Sequence, residues 1–214
     1  MELYHDILLN ELLWLESIGC KINRTQEGIV VEREEMQTTD FNFFIPFYGI
    51  TENKCIRLSV KSQNYLGFET CLFSKSYIYE KSFDINFIAC SPRSEHNVVG
   101  YELKEVDYSM WNTNNEKRGL VNECKYYYIL HKDTPIGKVN IIKSNNITGI
   151  YDFEIFSKYQ NMGYGSGFLK QFISENKGYF FIQTWSDNLS AIKSYIKAGF
   201  RIYDNLYRFV KRGY

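Results

Sequence analysis

Residues 160–167 read Gln-Asn-Met-Gly-Tyr-Gly-Ser-Gly, between an apolar run at 150–156 and a helix-like segment beginning at Phe168. Glycines let a backbone approach a ligand closely, and the N–H groups of a first helical turn point outward with the positive end of the helix dipole behind them. That combination suits an anionic pyrophosphate without any lysine. Glycine-rich turns also occur in loops that bind nothing, so the octet gains meaning from its surroundings. Just upstream, Asp152 and Glu154 alternate along the apolar run. As alternate residues of a strand they would share one face, which makes them either a carboxylate pair able to move a proton or two solvated charges on a sheet edge.

Downstream of the octet the chain is patterned as well. Residues 179–184 are β-rich, and residues 188–197 carry Asn188, Ala191, Ile192 and Tyr195 at helical spacing before a stop at Gly199. Residues 200–203 and 205–211 close the chain as two strands. The order strand, Gln-x-x-Gly-x-Gly, helix, strand, Asn-x-x-Ala-x-x-x-Tyr-x-x-x-Gly-Phe, strand resembles the GNAT (general N-acetyltransferase) superfamily. The likeness covers residues 99–214 and is strongest from Ile150 onward.

The resemblance implies an α/β fold with a mixed sheet in the carboxyl-terminal half, and acetyl-CoA as cosubstrate. Carried over by position, Gln160, Asn161, Met162, Gly163, Tyr164, Gly165 and Ser166 form the pyrophosphate loop. The backbone of Ile155 and Phe156 pairs with the pantetheine amides, Asn188 contacts the pantetheine arm, and Tyr195 sits near the thioester sulfur. Two positions depart from the family pattern: Gln160 stands where an arginine is common, and Asn161-Met162 where glycine and a basic residue are common. The main-chain donors of the loop remain.

Acetyl transfer to an amine then sets the remaining requirements. A protonated amine is not a nucleophile, so a base or water chain must take its proton, and the departing thiolate gains from a donor. Tyr195, one turn before the end of its helix, is placed for the donor role; the bland alternative is a tyrosine packed on the sheet. Asp152 and Glu154 are the candidate bases, because Gln183, at another position some members use, cannot take a proton at neutral pH. The activity implied is direct transfer in a ternary complex to a primary amine of a small molecule or peptide. The alternative is an acyl-CoA-binding sensor or assembly protein on the same scaffold.

Composition bounds the partners. Lysine plus arginine and aspartate plus glutamate both total 25 of 214 residues, which gives no net attraction for nucleic acid or an anionic membrane. Residues 1–98 hold 9 basic and 14 acidic side chains, a net of −5, and residues 99–214 hold 16 and 11, a net of +5. The basic half is the one expected to hold the polyanionic cosubstrate. Cys20, Cys55, Cys71, Cys90 and Cys124 form no Cys-x-x-Cys pair and are expected to be reduced and buried; His5, His96 and His131 lack metal-ligand spacing, so no metal is expected. Without a signal-like amino terminus or an apolar run near the ~20 residues of a membrane span, the expected location is cytoplasmic. A homodimer is left open.

The elements that must position these groups start with an amphipathic helix, where Leu3, Ile7, Leu8, Leu12, Leu15 and Ile18 recur up to a glycine cap at Gly19. β-rich runs come next, at 28–33, 42–50, 54–60, 68–79 and 85–90. Residues 91–97 read as a linker, dividing the chain into a smaller helix-plus-β domain, 1–97, and the transferase-like unit, 98–214. The first domain is expected either to be a degenerate copy of the second or to wall the acceptor site. In the second, 98–106 reads as a strand and 109–122 as a short helical or irregular connection. Strands at 125–132 and 136–143 then flank an expected turn at Asp133-Thr134-Pro135, and Ser144-Asn145-Asn146 forms a further turn.

Overall fold

The computed structural model describes residues 2–36, 38–47, 55–61, 72, 77–80, 82–91, 100–111 and 123–211. Helix α1 (Glu2–Ser17) forms where Leu8, Leu12 and Leu15 recur every three or four residues, and all three are buried. It ends at Gly19, whose φ of +89° lets the Gly19 N–H reach the Glu16 carbonyl and the Cys20 N–H reach that of Leu15.

Among the described residues, six strands come from the first half: β1 (Lys21–Arg24), β2 (Gly28–Glu32), β3 (Phe43–Pro46), β4 (Cys55–Ser59), β5 (Tyr77–Tyr79) and β6 (Asp84–Cys90). Then come β7 (Tyr101–Val106), the short helix α2 (Tyr108–Trp111), β8 (Cys124–His131), β9 (Thr134–Ser144) and β10 (Ile147–Ile155). The chain closes with α3 (Tyr164–Glu175), β11 (Tyr179–Trp185), α4 (Leu189–Ala198) and β12 (Arg201–Lys211). All the strands belong to one mixed sheet in the order β1-β2-β3-β4-β12-β6-β11-β10-β9-β8-β7, with β5 also paired to β12. Its β3–β4 and β10–β11 pairs are parallel and the others antiparallel.

The sheet interleaves the two halves of the sequence. β6, from the first half, lies between β11 and β12, and β12 in turn pairs with β4. Alternation then sends neighbouring side chains to different cores. Phe180 and Phe181 of β11 are both fully buried, the first with Phe168, Leu169 and Phe172 of α3, the second with Ile142, Ile147 and Ile7 of α1. Each such ring contributes roughly 1.5–3 kcal/mol. Helix α1 is also tied down by charge, since Arg57 of β4 makes a buried bidentate pair with Glu11 at 2.8 and 2.7 Å and lies 4.2 Å from the Phe43 ring centroid. Removing one partner of such a pair costs roughly 3–5 kcal/mol.

Local detail corrects two expectations. The β8–β9 turn is Lys132-Asp133, both at positive φ (48° and 60°), with His131 paired to Thr134. Thr134 and Pro135 are therefore strand residues, and the missing proline N–H is accommodated where the ladder shifts register between Ile129 and Leu130. Cys20, Cys55 and Cys124 are buried, and burial raises the Cys20 thiol to about 11 and that of Cys55 to about 12; Cys90, at the end of β6, is exposed. Cys71, most of the run at 68–79, the end of the run at 42–50, residues 112–122 and the 92–97 part of the linker lie outside the described residues.

Candidate active site

The parallel β10–β11 pairing runs from Ile147↔Tyr179 to Ile150↔Ile182 and stops there, although β10 continues to Ile155 and β11 to Trp185. A bulge in β10 accompanies the parting. Tyr151 pairs with Asn140 and Glu154 with Lys138, so Asp152 and Phe153 oppose one residue of β9, and Asp152 takes a φ of +48°. A bulge of this kind bends its strand and re-aims side chains. Two cavities border the gap, and Phe153, Glu154, Asn188 and Tyr195 line both.

The first cavity, about 550 Å³, is built on the glycine-rich octet. Asn161 (φ +61°) and Gly163 (φ +83°) turn the chain into α3, and a Cβ at Gly163 would meet nothing within 4 Å. The Gly167 N–H already donates to the Gly163 carbonyl at 2.9 Å, while the N–H groups of Tyr164, Gly165 and Ser166 belong to the first turn, where an α-helix supplies no acceptor. No acidic residue opposes the helix dipole there, and Lys193 and Lys197 of α4 line the same space. Their i, i+4 spacing, which sets both on one face of the helix, was legible in the sequence.

The other expected cofactor groups have definite places. Gln160 lines the cavity and its amide donates to the Ile155 carbonyl at 2.8 Å. The Phe156 N–H is spent on Ile136, at 2.9 Å, and Phe156 does not line the cavity. Because successive N–H groups of a strand point to opposite sides, the Ile155 N–H faces the gap. Met162 is 65% exposed and also lies outside the lining. Asn188 caps α4 by accepting from the Ala191 N–H at 3.2 Å, which leaves its amide N–H groups for a ligand.

The second cavity, about 490 Å³, holds both candidate bases. Asp152 and Glu154 border the same space because of the bulge, since simple alternation would not survive the extra residue between Tyr151 and Glu154. Asp152 Oδ2 accepts from Asn140 Nδ2 at 3.4 Å and Trp14 Nε1 at 3.5 Å, so β9 and α1 orient it. Glu154 is half-exposed and lies 3.5 Å from Lys138 Nζ. Gln183 donates to Glu11 at 3.2 Å and to Asn86 at 2.8 Å, which connects the cavity wall to the Glu11–Arg57 pair.

Two features of this cavity are invisible in the sequence. Trp14, Trp111 and Trp185 all line it, and they are the chain's three tryptophans. Asp84 lines it as well; burial pushes its carboxyl up to about 6, although Arg208, 2.6 Å away, and Arg57 both pull it down. No local pattern announces these residues, because they come from separate elements that only the sheet order brings together.

Tyr195 stands where the cavities meet. Its ring is buried edge-on to Phe87 at 5.5 Å and tilted against Phe200 at 6.1 Å, and burial raises its phenol above the ordinary value. Among the described residues its hydroxyl has no hydrogen-bond partner. The ring is thus part of the core, while the residue lines both cavities.

Residues 88–200 match the family described as "Acetyltransferase (GNAT) family". Among solved structures, a GCN5-related N-acetyltransferase from Kribbella flavida superposes with a TM-score of 0.61 at 9% identity, over 97% of this chain and 95% of that one. An acetyltransferase from the GNAT family of Colwellia psychrerythraea gives 0.57 at 10% identity, over 90% and 84%. A functionally unknown protein from Staphylococcus epidermidis ATCC 12228 gives 0.56 at 10%, over 91% and 94%. No curated protein matches the sequence.

Proposed function

The chain belongs to the acetyltransferase (GNAT) family, and from that premise we propose that it transfers the acetyl group of acetyl-CoA to a primary amine by direct attack. The observation that carries this reading is the meeting of two cavities at Tyr195 and Glu154, one walled by a helix N-terminus and lysines and the other by carboxylates. The first fits CoA: open first-turn N–H groups and Lys193 and Lys197 suit its phosphates, and the Ile155 N–H suits a pantetheine carbonyl. The absence of an arginine at Gln160 is offset by those two lysines.

In this reading the gap between β10 and β11 brings the thioester to Tyr195 while the amine enters from the second cavity. Asp152 or Glu154, directly or through a water, accepts the proton that the amine must lose. The attack then forms the C–N bond and the C–S bond breaks. A phenol is a weaker acid than a thiol, and burial weakens it further, so the Tyr195 hydroxyl acts by donating a hydrogen bond to the departing sulfur. The division at residue 97 becomes one of labour, with 98–214 holding CoA and 1–97 supplying Trp14 and Asp84 to the acceptor wall. Among the described residues no helix is long and apolar enough to cross a membrane; a cytoplasmic enzyme is part of the proposal.

A panel of amines screened for thiol release from acetyl-CoA tests the reading. Release that depends on both amine and protein is expected, and CoA binding without release across the panel would replace the enzyme with a sensor.

A further inference from the structure

A primary amine of the chain itself stands in the second cavity. Lys138 lines that space together with Tyr195 and Glu154, and its Nζ lies 3.5 Å from Glu154 Oε2 and 4.5 Å from the centre of the Trp111 ring. The strand register accounts for the placement: Lys138 of β9 is the direct partner of Glu154 at the end of the bulge, so the two side chains share a face. The Lys138 side chain is 21% exposed, whereas Lys158, Lys170 and Lys177 stand on the open surface. Because Glu154 lines both cavities, the amine sits one carboxylate away from the space assigned to CoA. A lysine beside a glutamate on a sheet is ordinarily an ion pair and nothing more. Here the glutamate is a candidate base, and the cavity is the one from which an amine reaches the thioester.

We propose that Lys138 is a self-modification site: when no free amine occupies the cavity, the protein transfers the acetyl group of acetyl-CoA to its own Lys138 Nζ. A nucleophile tethered beside its reaction partner needs no binding step, and its orientation alone raises the rate by orders of magnitude. One ammonium proton passes to Glu154 and on to solvent, and the neutral nitrogen attacks the thioester carbon. The C–N bond forms, the C–S bond breaks, and the second proton leaves with the CoA sulfur. The products are an acetyl-lysine and free CoA, and each chain reacts once, because an amide nitrogen is no longer a nucleophile. Acetylation also removes the charge that pairs Lys138 with Glu154 and holds it over the indole. The proposal rests on the transferase reading.

The test incubates the full-length protein with acetyl-CoA and no added amine, and locates acetyl groups over time by intact mass and peptide mapping. An adduct at Lys138 is expected, with a first-order rate independent of protein concentration and about a hundredfold or more above that at Lys158, Lys170 and Lys177. Glu154→Gln, which keeps the shape and deletes the base, should slow the adduct by about a hundredfold. Lys138→Arg keeps a cation and removes the acceptor, so the chain should gain no acetyl group beyond those on its surface lysines. The heat-unfolded chain, incubated alongside, measures the chemical reactivity of Lys138 without the fold. Acetylation of Lys138 no faster than at the surface lysines, or as fast in the unfolded chain, is ordinary chemical acetylation and overturns the proposal. Thiol release that depends on an added amine, with Lys138 unmodified in the amine-free incubation, keeps the transferase and removes self-acetylation. Neither adduct nor thiol release removes both. A fold-dependent adduct at Lys138 upholds the proposal even where no amine of the panel is accepted.

Discussion

At position 195 the ring and the hydroxyl have separable duties, and one substitution separates them. Tyr195→Phe keeps the contacts with Phe87 and Phe200 and removes only the donor. Folding and CoA affinity should change little, while turnover measured where chemistry is rate-limiting should fall by about a hundredfold or more. Since burial raises the phenol pKa, the hydroxyl stays protonated over the assayable range, and the variant should lower the plateau of the pH–rate profile without moving its limbs. Wild-type turnover would make Tyr195 a packing residue. Asp84 gives the opposite kind of test, because its proton is the variable. Its carboxyl binds a proton more tightly in the fold, at about 6, than in the unfolded chain, at about 4. Its contribution to stability is therefore complete below the unfolded value and is lost as pH rises through about 6. Asp84→Asn removes that dependence. The variant's Tm should rise relative to wild type between pH about 4 and 6 and hold a constant offset above, and a flat difference across that window would refute the assignment.

The loop and helix around Gly163 form the element on which cosubstrate binding turns. A ligand that binds only the native state stabilises by roughly 2.7 kcal/mol at one hundred times its dissociation constant, so acetyl-CoA should raise Tm in proportion to its saturation. Gly163→Asp places a carboxylate at the helix N-terminus in open space, at a φ of +83° that costs a side chain roughly 1–2 kcal/mol. The variant should fold with a modestly lower Tm and lose the acetyl-CoA shift, and a retained shift would take the loop out of the site. This element was legible because its information is local: the glycines, the apolar run before them and the spacing from Asn188 to Gly199 each fix neighbouring backbone. The bulge was not. Alternation alone put Asp152 and Glu154 on one face, but with an extra residue between Tyr151 and Glu154 it is the bulge that brings both to one cavity, and the positive φ at Asp152 depends on how β10 pairs with β9. The β8–β9 turn was misplaced for a related reason, since Pro135 offered a familiar turn signal while Lys132 and Asp133 took the left-handed conformation. Trp14, Asp84, Trp111 and Trp185 converge only through the sheet order, and no window of sequence contains that order.

On the scale of the whole chain, the division at residue 97 crosses the sheet instead of separating two sheets. β12 pairs with β4, β5 and β6, all from residues 1–97, and β11 pairs with β6 along its whole length. A fragment of residues 98–214 would therefore keep the glycine-rich loop and α4 but leave β12 without any of these sheet partners. Backbone donors and acceptors that lose partners inside a core carry a desolvation cost of roughly 1–3 kcal/mol each, against a total stability that is typically 5–15 kcal/mol. The same cut uncovers Ile142, Ile147 and Phe181, which α1 buries on the other face, so a large apolar patch would meet solvent. Tyr195 depends on these contacts indirectly, because α4 leads straight into β12 and the ring packs on Phe87 of β6. The fragment expressed alone is expected to aggregate or to lack a cooperative thermal transition, and co-expression with residues 1–97 should restore a soluble complex that acetyl-CoA stabilises. A soluble, cooperatively melting fragment that binds acetyl-CoA by itself would show that the carboxyl-terminal unit folds independently, and the first 97 residues would then be only a wall for the acceptor.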